Sequence, residues 1–144
     1  MEEKYMCYCG LYCENCAVKA KVEPASKTLY GEMKAAGFEE IIQFLPGGEG
    51  FWEFLGGMAR DGVCVSCKEG SGHPGCPVRI CARQKGVDAC ALCGEYPCGR
   101  FDRFFEGYPV LKADNALLRE DPRAWGALQD TRRAEGFTYA ESRQ

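Results

Sequence analysis

Three Cys-x2-Cys pairs lie in one chain of 144 residues: Cys13 with Cys16, Cys64 with Cys67, and Cys90 with Cys93. Two intervening residues let a tight turn aim both sulfurs at one ion about 2.3 Å away, so each pair is half of a tetrahedral site. One such pair is a weak signal, whereas three in a short chain point strongly to metal. Cys7, Cys9, Cys76, Cys81 and Cys98 bring the total to 11. The cysteines form two blocks, 7–16 and 64–98, and the 47 residues between them contain none.

Disulfides are the rival use of so much cysteine. An odd number leaves one thiol over in any intramolecular scheme. The start, Met1-Glu2-Glu3-Lys4-Tyr5, is acidic and leads into no apolar run, which is unlike a secretory or mitochondrial leader. No stretch approaches the ~18 apolar residues of a membrane span. The expectation is a cytoplasmic protein with no membrane association, in a reducing compartment that disfavours structural disulfides. Leu, Ile, Val and Phe supply only 27 residues, about 19% of the chain, a share that with high net charge would suggest disorder. Net charge is only -3 and aromatics reach 12%, so a fold is expected, held by more than aliphatic burial.

The spacings suggest sites. Cys64-x2-Cys67-x8-Cys76-x4-Cys81 is a complete local set of four sulfurs, a turn facing the start of a helix at Pro77. Cys90-x2-Cys93-x4-Cys98 offers three, so its fourth would come from Cys9, Cys13 or Cys16, closing a loop of about 80 residues. Four sulfurs with no open position make a structural zinc site, whereas a catalytic zinc keeps a water and usually recruits histidine or a carboxylate. His73, the one histidine, sits in Gly70-Ser71-Gly72-His73-Pro74-Gly75. It is either a twelfth ligand or an exposed loop residue, and the second is the expectation. That loop formally fits a Gly-x-Gly-x-x-Gly phosphate motif, but a strand before it and a long helix after it are missing.

Cys9-x3-Cys13-x2-Cys16 has the spacing of the [4Fe-4S] ligands in radical S-adenosylmethionine enzymes. Their βα barrel takes about 200 residues, so the surviving alternative is a cluster used for electron transfer. A third alternative is a thiol or metal sensor with labile, low-pKa cysteines. Paired carboxylates at a diagnostic spacing and a phosphate loop are both missing, and Cys7 with His73 would lack an orienting third group, so a non-enzymatic role is expected.

Charge adds a further exclusion. Residues 1–63 carry 6 basic and 10 acidic groups, 64–100 carry 5 and 3, and 101–144 carry 7 and 8. No basic cluster of the size a nucleic-acid binder needs is present, so a protein partner is favoured over nucleic acid. Each four-thiolate zinc centre would add -2, which Arg79, Arg83, Lys85 and Arg100 are placed to offset.

The rest reads as helix. Segment 24–37 has Pro24 in its first turn, Leu29 and Met33 four apart, and Gly37 as its stop. A piece at 38–45 ends at Pro46-Gly47-Gly48, and 49–60 places Phe51, Phe54, Leu55 and Met58 on one stripe, expected to be core. Helices are also expected at 98–106 and 109–120, then from Asp121 as N-cap through Pro122, Trp125 and Leu128 to Gly136. The expected fold is mainly α, a single domain over 1–144 with cysteine-rich loops organised by metal in zinc-knuckle or treble-clef-like elements. Its parts are a metal-binding region, 7–105, with a helical insert at 24–60, and a C-terminal helical extension at 106–144.

Cys9-Gly10-Leu11-Tyr12-Cys13-Glu14-Asn15-Cys16, then Cys64 and Cys67, then Cys76-Pro77-Val78-Arg79-Ile80-Cys81, then Cys90-Ala91-Leu92-Cys93-Gly94-Glu95-Tyr96-Pro97-Cys98 resembles the small cysteine-rich bacterial and archaeal proteins grouped as domain of unknown function 3795. The resemblance spans about residues 7–105. It implies a zinc-binding domain without an established reaction. The ligand candidates it implies are Cys9, Cys13, Cys16, Cys64, Cys67, Cys76, Cys81, Cys90, Cys93 and Cys98, with Cys7 outside the pattern. The expected role is a binding or regulatory module with about two structural four-cysteine zinc sites.

Overall fold

The computed structural model describes residues 3–142. They are mainly helical, with no strand among them and one isolated antiparallel bridge between Met6 and Tyr12. No described helix is long and apolar enough to cross a membrane. The chain divides into two compact units, one spanning Val18–Cys64 and the other formed by the residues up to Ala17 together with those from Val65 onward.

The Val18–Cys64 unit opens with a π-helical turn, Val18–Val22, that runs into α1 (Glu23–Ala35). Pro24 falls in the first turn of α1, but Val22 before it is itself helical (φ -69°, ψ -45°), so the chain enters α1 from the π-helical turn without a break. Gly37, at φ 75°, reverses the chain into the short α2 (Phe38–Ile41), a left-handed conformation that a side chain would strain. A 3-10 turn, Ile42–Phe44, leads to α3 (Gly48–Asp61). Helices α1 and α3 pack together: the Tyr30 ring stacks on Trp52 at 4.6 Å, and Leu55 is buried. Glu23 fastens the two ends of the unit, its Oε1 accepting from the N-H groups of Val63 (2.9 Å) and Cys64 (3.1 Å).

One expectation fails here. Leu55 is core, but Phe51 and Phe54, on the same stripe, are 44% and 65% exposed. The unit has too few elements to cover both flanks of α3.

The second unit holds α4 (Pro77–Gln84), α5 (Asp102–Glu106), α6 (Pro109–Glu120) and α7 (Pro122–Ala134). The expected helix at 98–106 forms only from Asp102. The start of α7 is as expected: Asp121 Oδ1 accepts from the N-H groups of Arg123 (2.9 Å) and Ala124 (3.0 Å), a cap worth about 1 kcal/mol. Helix α6 packs against α5, α7 and the turn Cys90–Leu92. Leu118 and Trp125 form a core with Met6, Tyr12, Ala89 and Ala91, and Leu111 forms another with Phe105 and Tyr139.

Candidate functional site

Most of the cysteines lie in this second unit, and eight of them gather in two groups. The first group grows from a tight loop after Met6. The Cys7 N-H donates to the Leu11 carbonyl (2.7 Å) and the Gly10 N-H to the Cys7 carbonyl (2.9 Å). Gly10 turns the loop at φ 86°, and a Cβ there would stand 1.8 Å from Asn115 Oδ1. Glycine thus lets Asn115 of α6 come close enough to donate from Nδ2 to the Cys9 carbonyl at 2.9 Å. A 3-10 turn, Cys13–Asn15, follows, closed by the Cys16 N-H on the Cys13 carbonyl at 3.0 Å.

In this loop Cys7 Sγ lies 3.2 Å from Cys13 Sγ. Its neighbours Cys13, then Cys67 and Cys9, followed by burial and the charge of Cys9, hold the Cys7 proton far above the ordinary thiol range. Two of these neighbours are shifted the opposite way. Cys9 is lowered, chiefly by its bond to Cys7 and against its burial. Cys67 is lowered from 9.0 to about 6, chiefly by Cys7, with help from the Tyr8 backbone and Arg79 and against burial. Two sulfurs that favour the thiolate therefore share one proton donor, an arrangement in which a cation would be welcome.

Arg79 supports this group from α4. It is buried, and its guanidinium donates to the carbonyls of Ser71 (2.7 Å), His73 (2.9 Å) and Cys67 (3.4 Å). His73 itself is exposed, and its Nδ1 accepts from the Gly75 N-H at 3.1 Å. Its ring is engaged in a local turn, as expected of a loop histidine.

The second group surrounds a cavity of about 20 Å3, the space of roughly one water. Cys81, Cys90, Cys93 and Cys98 all line it, beside Val78 and Tyr96. The turn Cys90–Leu92 is closed by the Cys93 N-H on the Cys90 carbonyl at 3.1 Å, the same local device as in Cys13–Asn15. Arg100 Nη1 donates to Cys81 Sγ at 3.3 Å, and Lys85, paired with Glu95, feels the charges of Cys93 and Cys81. Burial first, then the charges of Cys98, Cys81, Cys93 and Cys9, push the Cys90 thiol up to about 11. The Cys90 N-H also donates to the Tyr8 carbonyl at 2.6 Å, which ties the two groups together.

These groupings differ from those suggested by spacing. Cys67 joins the N-terminal loop, and Cys81, instead of an N-terminal cysteine, completes the set with Cys90, Cys93 and Cys98. Cys7, outside the expected pattern, sits at the centre of the first group. Cys16 ends its turn, Cys76 precedes α4, and Cys64 ends the other unit. The sulfurs are gathered but not closed on a point: among the described residues no three Cys, His, Asp or Glu side chains are set to hold an ion as they stand.

A family model described as a protein of unknown function, DUF3795, matches residues 5–103. The chain belongs to the DUF3795 family. No curated protein and no solved structure matches it. The DUF3795 match takes in every cysteine and ends before α6. Two further side chains that grip the cysteine loops lie beyond it. Asn115 holds Cys9, and one turn further along α6 Arg119 Nη1 donates to the carbonyls of Ala91 (2.9 Å) and Cys93 (2.8 Å). Between Leu111 and Leu118, on the inward stripe of α6, stand the polar Asp114 and Asn115, both buried. That break in an apolar stripe is the sequence signal that could have found them.

The shifted thiols give a direct test. In metal-free protein, iodoacetamide should alkylate Cys67 with a rate half-maximal about pH 6, because Cys67 is a protonated, slow thiol below that value and a thiolate above it. At pH 7 it should react well ahead of Cys90, still protonated until about 11. Peptide mass spectrometry across pH reads both, and a Cys67 inflection near the ordinary 9.0 would overturn the assignment.

Proposed function

We propose that this DUF3795 protein is a thiolate metal-binding module with two four-cysteine centres, acting as a binding or regulatory domain without chemistry of its own. The observation that carries the reading is the gathering of Cys81, Cys90, Cys93 and Cys98 around one ion-sized cavity, with Arg100 donating to a sulfur. Cys7, Cys9, Cys13 and Cys67 would form the second centre. Both donor sets are all sulfur, which selects thiophilic metals, zinc or iron before magnesium or calcium. Zinc held by four sulfurs supplies cross-linking and no open position for a substrate. Arg79 and Arg100 would offset part of the thiolate charge.

Elemental analysis and an absorbance spectrum of untagged protein purified without oxygen test this. About two zincs per chain are expected, with one lost in Cys93→Ser, one lost in Cys7→Ser and none lost in Cys16→Ser. Iron and sulfide with cluster absorbance would replace zinc by an iron-sulfur redox centre. Protein that retains no metal, and takes up none from solution, would end the metal reading.

A further inference from the structure

The Val18–Cys64 unit leaves three of its phenylalanines, Phe44, Phe51 and Phe54, exposed on its surface. Ile42 and Leu55 are its buried large aliphatic residues, while Ile41, Phe44, Leu45, Phe51 and Phe54 are 44–78% exposed. Ile41, Phe44 and Leu45 lie on α2, on the 3-10 turn after it and just beyond that turn; α2 and the turn pack against each other, and the turn packs against α3, the helix of Phe51 and Phe54. Phe51 and Phe54 are one turn apart on α3. A solitary exposed apolar residue is ordinary, whereas a group with three phenylalanines marks a surface that something covers.

Charge decides among the occupants. From 38 to 59 the chain carries Glu39, Glu40, Glu49 and Glu53 and no Lys, Arg or His. Among the described residues, an ion pair is seen at Glu39, with Lys34 at 3.9 Å, and not at the other three. A second copy would bring the same four carboxylates to the contact, and an anionic membrane would repel them. Basic residues flanking an apolar stripe complement both features at once. We propose that the α2–α3 corner is a docking surface for a basic amphipathic helix of a partner protein, with Phe44 and Phe54 as its anchors. Exposed phenylalanines supply the buried area, and the glutamates speed the encounter and set its salt dependence.

The test uses the full chain and a labelled synthetic helix of about 18 residues, leucine on one face and lysine on the other, beside a twin with glutamate in place of lysine. Fluorescence anisotropy should show the lysine helix binding at least about tenfold tighter than its twin. Phe44→Ala and Phe54→Ala should each weaken binding by about tenfold or more, with far-UV circular dichroism unchanged because both rings are exposed. Glu49→Gln with Glu53→Gln should reduce the salt dependence. Equal binding of the two helices, or indifference to both Phe variants, overturns the proposal. Dimerisation in sedimentation that Phe54→Ala abolishes would assign the surface to a second copy instead. Adsorption to phosphatidylcholine vesicles that the same variant abolishes would assign it to lipid, and either result overturns the proposal.

Discussion

A chain cut after Tyr108 is expected to lose the cooperative fold of its cysteine-bearing unit. The cut removes Leu118 and Trp125 from one core and Leu111 and Tyr139 from the other. Truncating a single large core side chain costs about 2–5 kcal/mol, so removing four costs about 8–20 kcal/mol, as much as or more than the roughly 5–15 kcal/mol that holds a typical domain together. Asn115 and Arg119 leave with them, so the carbonyls of Cys9, Ala91 and Cys93 lose their donors. Thermal melts followed by circular dichroism and the dispersion of amide NMR signals, with zinc supplied during expression, would show it. A sharp melt and dispersed signals from the unit in the cut chain would instead make the family-matched region self-sufficient and α6–α7 an accessory.

Asp114→Ala should be as damaging as the loss of a large core side chain, although it removes a carboxylate. Asp114 is 1% exposed, and its Oδ2 accepts from Arg132 Nη1 (2.6 Å), the Tyr139 hydroxyl (3.1 Å) and Gln129 Nε2 (3.2 Å). Tyr139 is well placed as a donor, since burial first and the Asp114 charge next hold its hydroxyl proton far above the usual phenol range. Gln129 extends the network to the Cys13–Asn15 turn: its Oε1 accepts from Asn15 Nδ2 at 3.0 Å. Removing one partner of a buried ion pair costs about 3–5 kcal/mol, because the other charge is left uncompensated. At about 3–4 °C per kcal/mol for a chain of this size, the melting temperature should fall by about 10 °C or more. Asp114→Leu combined with Arg132→Met should recover part of that loss, since it removes both charges and fills the volume. A fall of less than about 1 kcal/mol for Asp114→Ala would mean that the carboxylate is not a structural anchor.

What the sequence revealed followed the range of the interactions. The start of α7 was readable because Asp121-Pro122 satisfies its own neighbours' N-H groups, a contact two and three residues long. The turns Cys13–Asn15 and Cys90–Leu92 were readable for the same reason. Which turns meet was not, because Cys67 reaches Cys7 and Cys9 across some sixty residues of chain, and spacing carries no information on that closure. Cys81 shows the point at short range: its distance from Cys76 in sequence suggested a local set, but α4 brings it to the cavity of Cys90, Cys93 and Cys98. Periodicity correctly made α3 amphipathic, yet it could not say how wide a stripe its neighbours would cover, and Phe54 stayed outside. Asp114 and Asn115 were passed over because a helix pattern records where apolar residues recur, whereas these two work by being polar in the same place.

If the two proposed cysteine centres hold ions, the grip of α6 has a consequence for how they fill. Asn115 and Arg119 are one turn apart on the same helix, the first on the loop of Cys9 and the second on the turn of Cys90 and Cys93. A helix is stiff over one turn, so whatever orders the first loop also fixes the residue that holds the second. The entropy of ordering is then largely spent once, and the second occupant meets a loop already in shape. On that proposal, loops about eighty residues apart in sequence should fill with positive cooperativity, the first occupied centre favouring the second, while a chain that lacks one centre's sulfurs still fills the other.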